Sequence, residues 1–333
     1  MRKILFLLLL VPILGVSQVL TIGGEVLKHS NYVLRKNYVT IGGTAWVEKA
    51  PRLGESYIYS LCVYNGKLYG GTAESGKLYE WNGTNAWVEK APSLGTSIIA
   101  SLCVYNGKLY GGTYPSGKLY EWNGTNAWVE KAPASGLYIT SLCVYNGKLY
   151  GCNAYYGELY EWNGTNAWVE KAPKLGTETH INSLCVYNGK LYGSTYPNGK
   201  LYEWNGVNAW VEKAPSLGET SITSLCVYNG KLYGGTRPNA KLYEWNGVNA
   251  WVEKAPKLGA ETHITSLCVY NGKLYGSTYG SKLYEWNGTN AWVEKAPYLG
   301  EYSILSLCVY NGKLYGGTYY NGKLYEWNAI LKP

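Results

Sequence analysis

The stretch S-L-C-V-Y-N-G-K-L-Y-G, first met from Ser60 to Gly70, occurs seven times unchanged, with its cysteine at Cys62, Cys103, Cys143, Cys185, Cys226, Cys268 and Cys308. Those cysteines lie 40 to 42 residues apart. Two companions keep the same period: L-Y-E-W-N, first Leu78 to Asn82, and A-W-V-E-K-A-P, first Ala45 to Pro51. A fixed period of this length is the spacing of β-propeller blades, and it overrides the two-domain prior that 333 residues would otherwise suggest.

The second repeat shows how one blade should form. Thr96 to Tyr105 is apolar on both faces, as expected for a strand covered on both sides. Asn106-Gly107 is a type I′ hairpin signal. Lys108 to Thr113 returns the chain, and its Gly111-Gly112 pair removes side chains where another backbone is expected to approach. Pro115-Ser116-Gly117 turns into Lys118 to Trp122, and Asn123-Gly124-Thr125-Asn126 turns into Ala127 to Lys131. The predicted fold is all-β, a seven-bladed propeller of four-stranded antiparallel blades. The last repeat stops at Glu326-Trp327-Asn328 without an A-W-V-E-K-A-P copy, and the spare copy is Ala45 to Pro51. That N-terminal strand is expected to complete the last blade and close the ring.

Upstream, Arg2 and Lys3 precede an apolar run from Ile4 to Val16. It is shorter than the roughly 17–25 residues of a membrane span, and with small residues at Gly15 and Ser17 it reads as a signal peptide over 1–17. A secreted, periplasmic or extracellular chain with no stable membrane insertion is expected, an uncleaved anchor being the other reading. Residues 18–43 form an N-terminal extension or an extra strand, with Lys36 to Gly43 resembling a decayed third strand. The propeller is expected over 44–333 as a monomer.

The formal charge of +8 arises blade by blade, from Lys67, Lys77 and Lys90 against Glu80 and Glu89 and their equivalents. Spread round a ring, it is no clustered stripe, so no nucleic-acid partner is expected. Seven of the eight cysteines occupy one equivalent place. Such places should be too distant for the ~4.4–6.8 Å Cα separation of a disulfide. Cys152, with Tyr150 facing Cys143, is a diagonal neighbour only. All eight are expected as free, buried thiols. The fourteen tryptophans divide evenly between the two companion motifs. Each buries about 150–250 Å², worth roughly 4–6 kcal/mol gross at ~25 cal/mol per Å², so they are expected to pack blade on blade.

A hydrophobic strand, N-G-K-L-Y, a glycine pair, then Tyr and Trp each eight residues on (Gly71, Tyr79, Trp87) resemble the kelch-type propeller repeat from Ala45 to Asn328. The repeat is shorter than the kelch ~50 residues, and the pair becomes Gly151-Cys152, Gly193-Ser194 and Gly276-Ser277 in three blades. The resemblance implies a protein-binding propeller, although some secreted relatives are enzymes, copper oxidases among them. Tectonin-like lectin propellers are a looser match.

The loops at one end of the blades are nearly invariant, whereas those at the other end vary. The hairpin after the glycine pair carries Ala73, Tyr114, Ala154, Tyr196, Arg237, Tyr279 and Tyr319, with Tyr155, Tyr156 and Tyr320 alongside. The residue before a constant Ile in each link reads Tyr57, Ile98, Tyr138, His180, Ser221, His263 and Ser303. The residue after it reads Tyr59, Ala100, Thr140, Asn182, Thr223, Thr265 and Leu305. These are expected round the mouth of the central channel. The candidate ligand-binding residues are Tyr57, Tyr114, Tyr138, Tyr155, His180, Tyr196, Arg237, His263, Tyr279 and Tyr319, a set suited to stacking a glycan or a protein or peptide loop. A structural spacer whose loops merely drift is the alternative.

Catalytic chemistry is thin. Three histidines (His29, His180, His263) lack further ligands for a metal or copper site, so no metal or cofactor is expected. The link glutamates Glu55, Glu178, Glu219, Glu261 and Glu301 could in principle pair for glycoside hydrolysis, but no pair stands out, and a hydrolase or lyase ranks behind a non-enzymatic binding module. Asn82, Asn123, Asn163 and Asn287 begin N-G-T sequons; Asn205 and Asn246 sit in the same turn with Val third, so turn chemistry explains the motif better.

Overall fold

The computed structural model describes residues 45–328 apart from 96 and 135–137, together with the backbone of 21–22 and 25–26. The proposed signal peptide and most of the extension, including Lys36 to Gly43, lie outside the described residues. Thr21–Ile22 pairs antiparallel with Glu25–Val26, a two-stranded unit described by itself.

Residues 45–328 form seven four-stranded antiparallel sheets, with no helix among the described residues. Blade 1 consists of Ile58–Tyr64, Lys67–Thr72, Leu78–Trp81 and Trp87–Ala91, in chain order across the sheet. The first strands of successive blades abut one another round the ring, which makes them the innermost. Asn65 and Gly66 take φ of 46° and 68°, the positive pair that a type I′ turn requires. The last blade takes its outer strand from the N-terminal side: Ala45–Ala50 pairs with Leu324–Asn328, Trp46 opposite Trp327. The ring is therefore closed without an open seam.

Blades adhere through aromatic layers. The third-strand tryptophan is buried in all seven blades. Trp122 of blade 2 lies 5.9 Å from Tyr64 and 5.2 Å from Tyr69 of blade 1, ring centre to ring centre. Trp81 of blade 1 meets Tyr310 and Tyr315 of blade 7 at 5.9 and 5.1 Å. Such tilted and edge-on geometries are the favoured ones for aromatic pairs.

What approaches the glycine pair is side chain rather than the backbone expected from sequence. A Cβ on Gly70 would lie 3.2 Å from Trp87 Cη2, while one on Gly71 would lie 2.6 Å from Ile99 Cγ2 of the next blade. The first glycine thus admits the blade's own outer tryptophan and the second admits its neighbour's isoleucine. Where Cys152 and Ser194 replace the second glycine, each reaches an isoleucine carbonyl of the next blade, at 3.3 Å from Ile181 and 3.1 Å from Ile222.

The cysteines also need correcting. All eight are free, but only Cys152 is buried, and the seven equivalent thiols are half-buried. They pack against the next blade, as Cys62, Cys143 and Cys308 do, yet they lie on the innermost strand, whose channel side no other strand covers.

Each third-strand glutamate is clasped by two lysines. Glu80 Oε1 accepts from Lys67 Nζ at 2.8 Å, its Oε2 accepts from Tyr69 Oη at 2.7 Å, and Lys90 stands 3.5 Å away. Lys77 pairs with Glu89 at 3.1 Å. On the invariant face, Asn82 Oδ1 accepts the backbone N–H groups of Thr84, Asn85 and Ala86. Asn205 does the same with Val207, Asn208 and Ala209, so the turn forms with or without the sequon.

Candidate channel-mouth binding site

Every blade slips register by one residue near the start of its inner strand. In blade 1, Ile58 faces Thr72 and Ser60 faces Gly71, which leaves Tyr59 as a bulge. Ala100, Thr140, Asn182, Thr223, Thr265 and Leu305 are bulged likewise. A bulge re-aims its side chain, and here it separates two uses. Thr140 Oγ1 donates to the Ile181 carbonyl at 3.2 Å, and Asn182 Nδ2 donates to that of Ile222 at 3.2 Å. Thr223 and Thr265 reach Ile264 and Ile304 in the same way. These four, expected at the rim, latch one blade to the next. Ser221 and Ser303 are fully buried and also leave the rim.

The ten candidate residues fall into two arcs of touching rings. One runs Tyr114–Tyr138 at 4.8 Å, Tyr138–Tyr155 at 4.5 Å, Tyr155–His180 at 6.1 Å and His180–Tyr196 at 5.2 Å. It ends where the Arg237 guanidinium lies 4.7 Å above the Tyr196 ring, within the range of a cation–π contact. The other runs His263–Tyr279 at 5.3 Å, Tyr279–Tyr319 at 6.4 Å and Tyr319–Tyr57 at 4.4 Å. Together they draw on all seven blades, and each arc crosses from blade to blade through ring contacts.

Electrostatics tie the arcs together. A hydrogen bond with Tyr319, then burial, pushes the Tyr57 phenol up to about 12. Burial, then the Arg237 charge, holds both His180 and His263 below the ordinary imidazole value. His180 Nδ1 is paired with Thr179 Oγ1 at 2.7 Å, and His263 Nδ1 with Thr262 Oγ1 at 2.7 Å. These contacts direct each Nε2 away from the neighbouring threonine.

Tyr59 is not among the ten. It keeps 40% of its surface exposed, yet burial raises its phenol pKa first, followed by Tyr114 and Tyr319, with Arg237 opposing. A residue of blade 1 that feels Arg237 of blade 5 stands within the channel mouth, wet but surrounded by protein. Tyr302 also falls outside the sequence-derived set. It lies 5.9 Å from each of Tyr279, Tyr319 and Tyr320, and enters the rim from one place ahead of the aligned link position.

The link glutamates point elsewhere. Glu55 accepts from Ser75, Glu178 from Asn198, Glu219 from Asn239 and Glu301 from Asn321, each within its own blade. Glu261 accepts the Gly280 N–H at 3.1 Å. Each carboxylate is one to a blade and braces the variable hairpin beside it. No group of three or more His, Cys, Asp or Glu side chains could hold a metal ion among the described residues. No helix among them is long and apolar enough to cross a membrane.

No protein-family model matches the sequence, and no curated protein matches it. Solved structures match in fold. A catalytically inactive variant of virginiamycin B lyase from Staphylococcus aureus, crystallised with quinupristin, superposes at TM-score 0.72 and 13% identity, over 86% of this chain and 100% of that one. The WD40 β-propeller domain of Doa1 gives 0.67 and 14%, over 86% and 97%. The extracellular domain of the putative hybrid two-component system BT4673 from B. thetaiotaomicron gives 0.67 and 14%, over 87% of this chain and 40% of that one. At such identities the likeness is one of fold.

Proposed function

We propose that the chain is a secreted, non-enzymatic binding propeller that takes a glycan on the channel-mouth face. One observation carries this reading: the rings that touch from blade to blade occupy the positions where otherwise near-identical repeats differ. Tyrosine offers a flat apolar body and a polar tip with little rotamer freedom to lose, which suits stacking on a sugar ring. A glycan array probed with the parent protein and with a Tyr114, Tyr196, Tyr279 and Tyr319→Ala variant of unchanged circular dichroism tests it. Binding that the variant loses supports the reading. Capture of protein loops alone would favour the protein-binding role that the kelch resemblance implies. No binding at all would leave a spacer.

Secretion rests on the basic and apolar N-terminal segment and is tested by the N-terminus of the exported protein, expected near residue 18. The glycine pair followed by Tyr and Trp supports kinship with kelch-type repeats. The closed ring supports a monomer, which light scattering would check.

A lyase is a second reading, favoured by the two half-buried imidazoles that burial and then the Arg237 charge hold below their ordinary pKa and by the fold shared with virginiamycin B lyase. Incubating the protein with quinupristin and following its chromatographic retention and the ultraviolet absorbance of the new double bond tests that reading, because an eliminative ring opening leaves the mass unchanged. Turnover abolished by His180→Ala or His263→Ala would support it, and an unchanged elution and absorbance profile would count against it.

A further inference from the structure

We propose that Arg237 is the docking point for a carboxylate carried on a sugar ring, so that the ligand of the channel mouth is an acidic glycan. This deepens the glycan reading and rests on it. The position is singular: the equivalent hairpin residue is Tyr or Ala in every other blade. Arg237 is fixed from its backbone, whose carbonyl accepts the Thr220 N–H at 3.0 Å and the Thr220 hydroxyl at 3.2 Å. Its guanidinium carbon lies over the Tyr196 ring, 4.7 Å from the centroid, and its Nε is buried without an acceptor.

No carboxylate of the described residues stands within 4.0 Å of the guanidinium. The link acid of the same blade, Glu219, is turned to Asn239 at 3.1 Å and Lys241 at 3.7 Å. The strand lysines, by contrast, are clasped by glutamates. A guanidinium held over a ring, with no carboxylate beside it, leaves its two Nη groups to meet a planar anion, and a carboxylate matches that pair with two parallel hydrogen bonds. The anion would not have to displace an existing salt bridge.

The surroundings then choose what carries the carboxylate. Tyr196, His180, Tyr155, Tyr138 and Tyr114 run away from Arg237 as consecutive ring faces and edges. A saccharide chain with its acid over Arg237 would lay successive rings along that arc. The field of Arg237 extends to His180, His263 and Tyr59, on three other blades, so its charge faces the shared opening rather than the outer rim.

The test is an array bearing uronate oligosaccharides, their carboxyl-reduced counterparts, sulfated oligosaccharides and a Glu-rich peptide, read with the full chain and with two variants. Arg237→Gln removes the charge. Arg237→Tyr installs the residue that four other blades carry at this place, which gives a variant with a folding precedent. The expected result is uronate binding weakened ten- to a hundred-fold by either variant, with the reduced sugars bound more weakly and equally by all three proteins. Uronates and reduced sugars bound alike, indifferent to both variants, would overturn the carboxylate while leaving the stacking site intact. Arg237-dependent preference for the sulfated sugars or for the peptide would overturn it too. Absence of any sugar binding would bring down the glycan reading with it.

Discussion

The Tyr310 phenol donates to the Gly66 carbonyl at 3.1 Å, joining the last blade to the first across 244 residues of sequence. Tyr64 bonds Gly107, Tyr105 bonds Gly147 and Tyr228 bonds Gly272 in the same way, at 3.1 to 3.2 Å. The seam between the chain's ends is thus made like an interior junction. What differs there is the origin of the outer strand, Ala45–Ala50, which comes from the far end of the sequence.

Deleting residues 44–51 should therefore leave Leu324–Asn328 as an unpaired edge and strip the cover from the buried Trp327. An exposed, flat, apolar edge strand is an aggregation site. Size-exclusion chromatography should show loss of the parent protein's elution peak to larger species, and thermal unfolding a lower midpoint. A stable, monodisperse truncation would count against closure by this strand.

The glycine pair makes a sharper prediction. A Cβ at Gly234 would come within 2.9 Å of Ile222 Cγ2 and 3.2 Å of Trp251. Both neighbours are buried in the seam between blades, so neither can swing into solvent. Gly234→Ala should lower stability by about 1–3 kcal/mol, the usual cost of overpacking, seen as a reduced urea midpoint at unchanged m-value. An unchanged midpoint would mean that the blade relaxes at no cost.

Much of the fold is legible in the sequence. Period, strand order, hairpin turns and closure follow from residues whose roles are local, such as Asn65-Gly66, or counted, such as the displaced A-W-V-E-K-A-P copy. The bulge is not legible there, because an alignment of repeats records which residue follows the constant Ile but not where its side chain is aimed. Hence Thr140 and Asn182 look like rim residues and are latches, while Tyr59, in the same aligned place, stands in the opening. The half-burial of the thiols is hidden for a related reason. Apolar neighbours in sequence do not reveal that the innermost strand has a channel on its far side.

Acid should loosen the protein in two steps. At Glu80, burial favours the neutral acid, but hydrogen bonds from Lys67 and Tyr69 and the charge of Lys90 outweigh it, and the carboxyl sits below its ordinary 4.5. Glu121, Glu161, Glu203, Glu244, Glu285 and Glu326 are held low likewise. A group whose folded pKa is depressed binds its proton more readily when unfolded, so its contribution is complete above the unfolded value and disappears as pH falls through the folded one. Stability should decline steeply below pH 4.5. A shallower loss should begin below 6.5, where His180 and His263 obey the same sign. Urea midpoints from pH 7 to 3 would show both limbs, and Glu80→Gln, which removes one of the seven lowered carboxyls, should make the lower one slightly shallower. A flat profile down to pH 3 would contradict the clasped-carboxylate arrangement.

The thiols should be present, reduced and slow. Burial pushes Cys62, Cys143 and Cys226 up to about 11, and Cys103, Cys152, Cys185, Cys268 and Cys308 up to about 12, from an ordinary 9.0. Since the thiolate is the nucleophile, shifts of about two and three units leave roughly a hundredfold and a thousandfold less of it at pH 8. Half-burial gives a reagent access to the seven equivalent thiols, so their deficit in rate should come from charge rather than from steric closure, whereas Cys152 is also closed off by burial. Iodoacetamide should accordingly label the folded protein on the order of a hundred to a thousand times more slowly than the urea-unfolded chain, with the folded rate rising tenfold per pH unit up to 10. Mass spectrometry after unfolding should recover eight alkylated cysteines and no disulfide. Fast, pH-independent labelling of the native protein would show instead that the inner strands open to solvent far more than the closed ring allows.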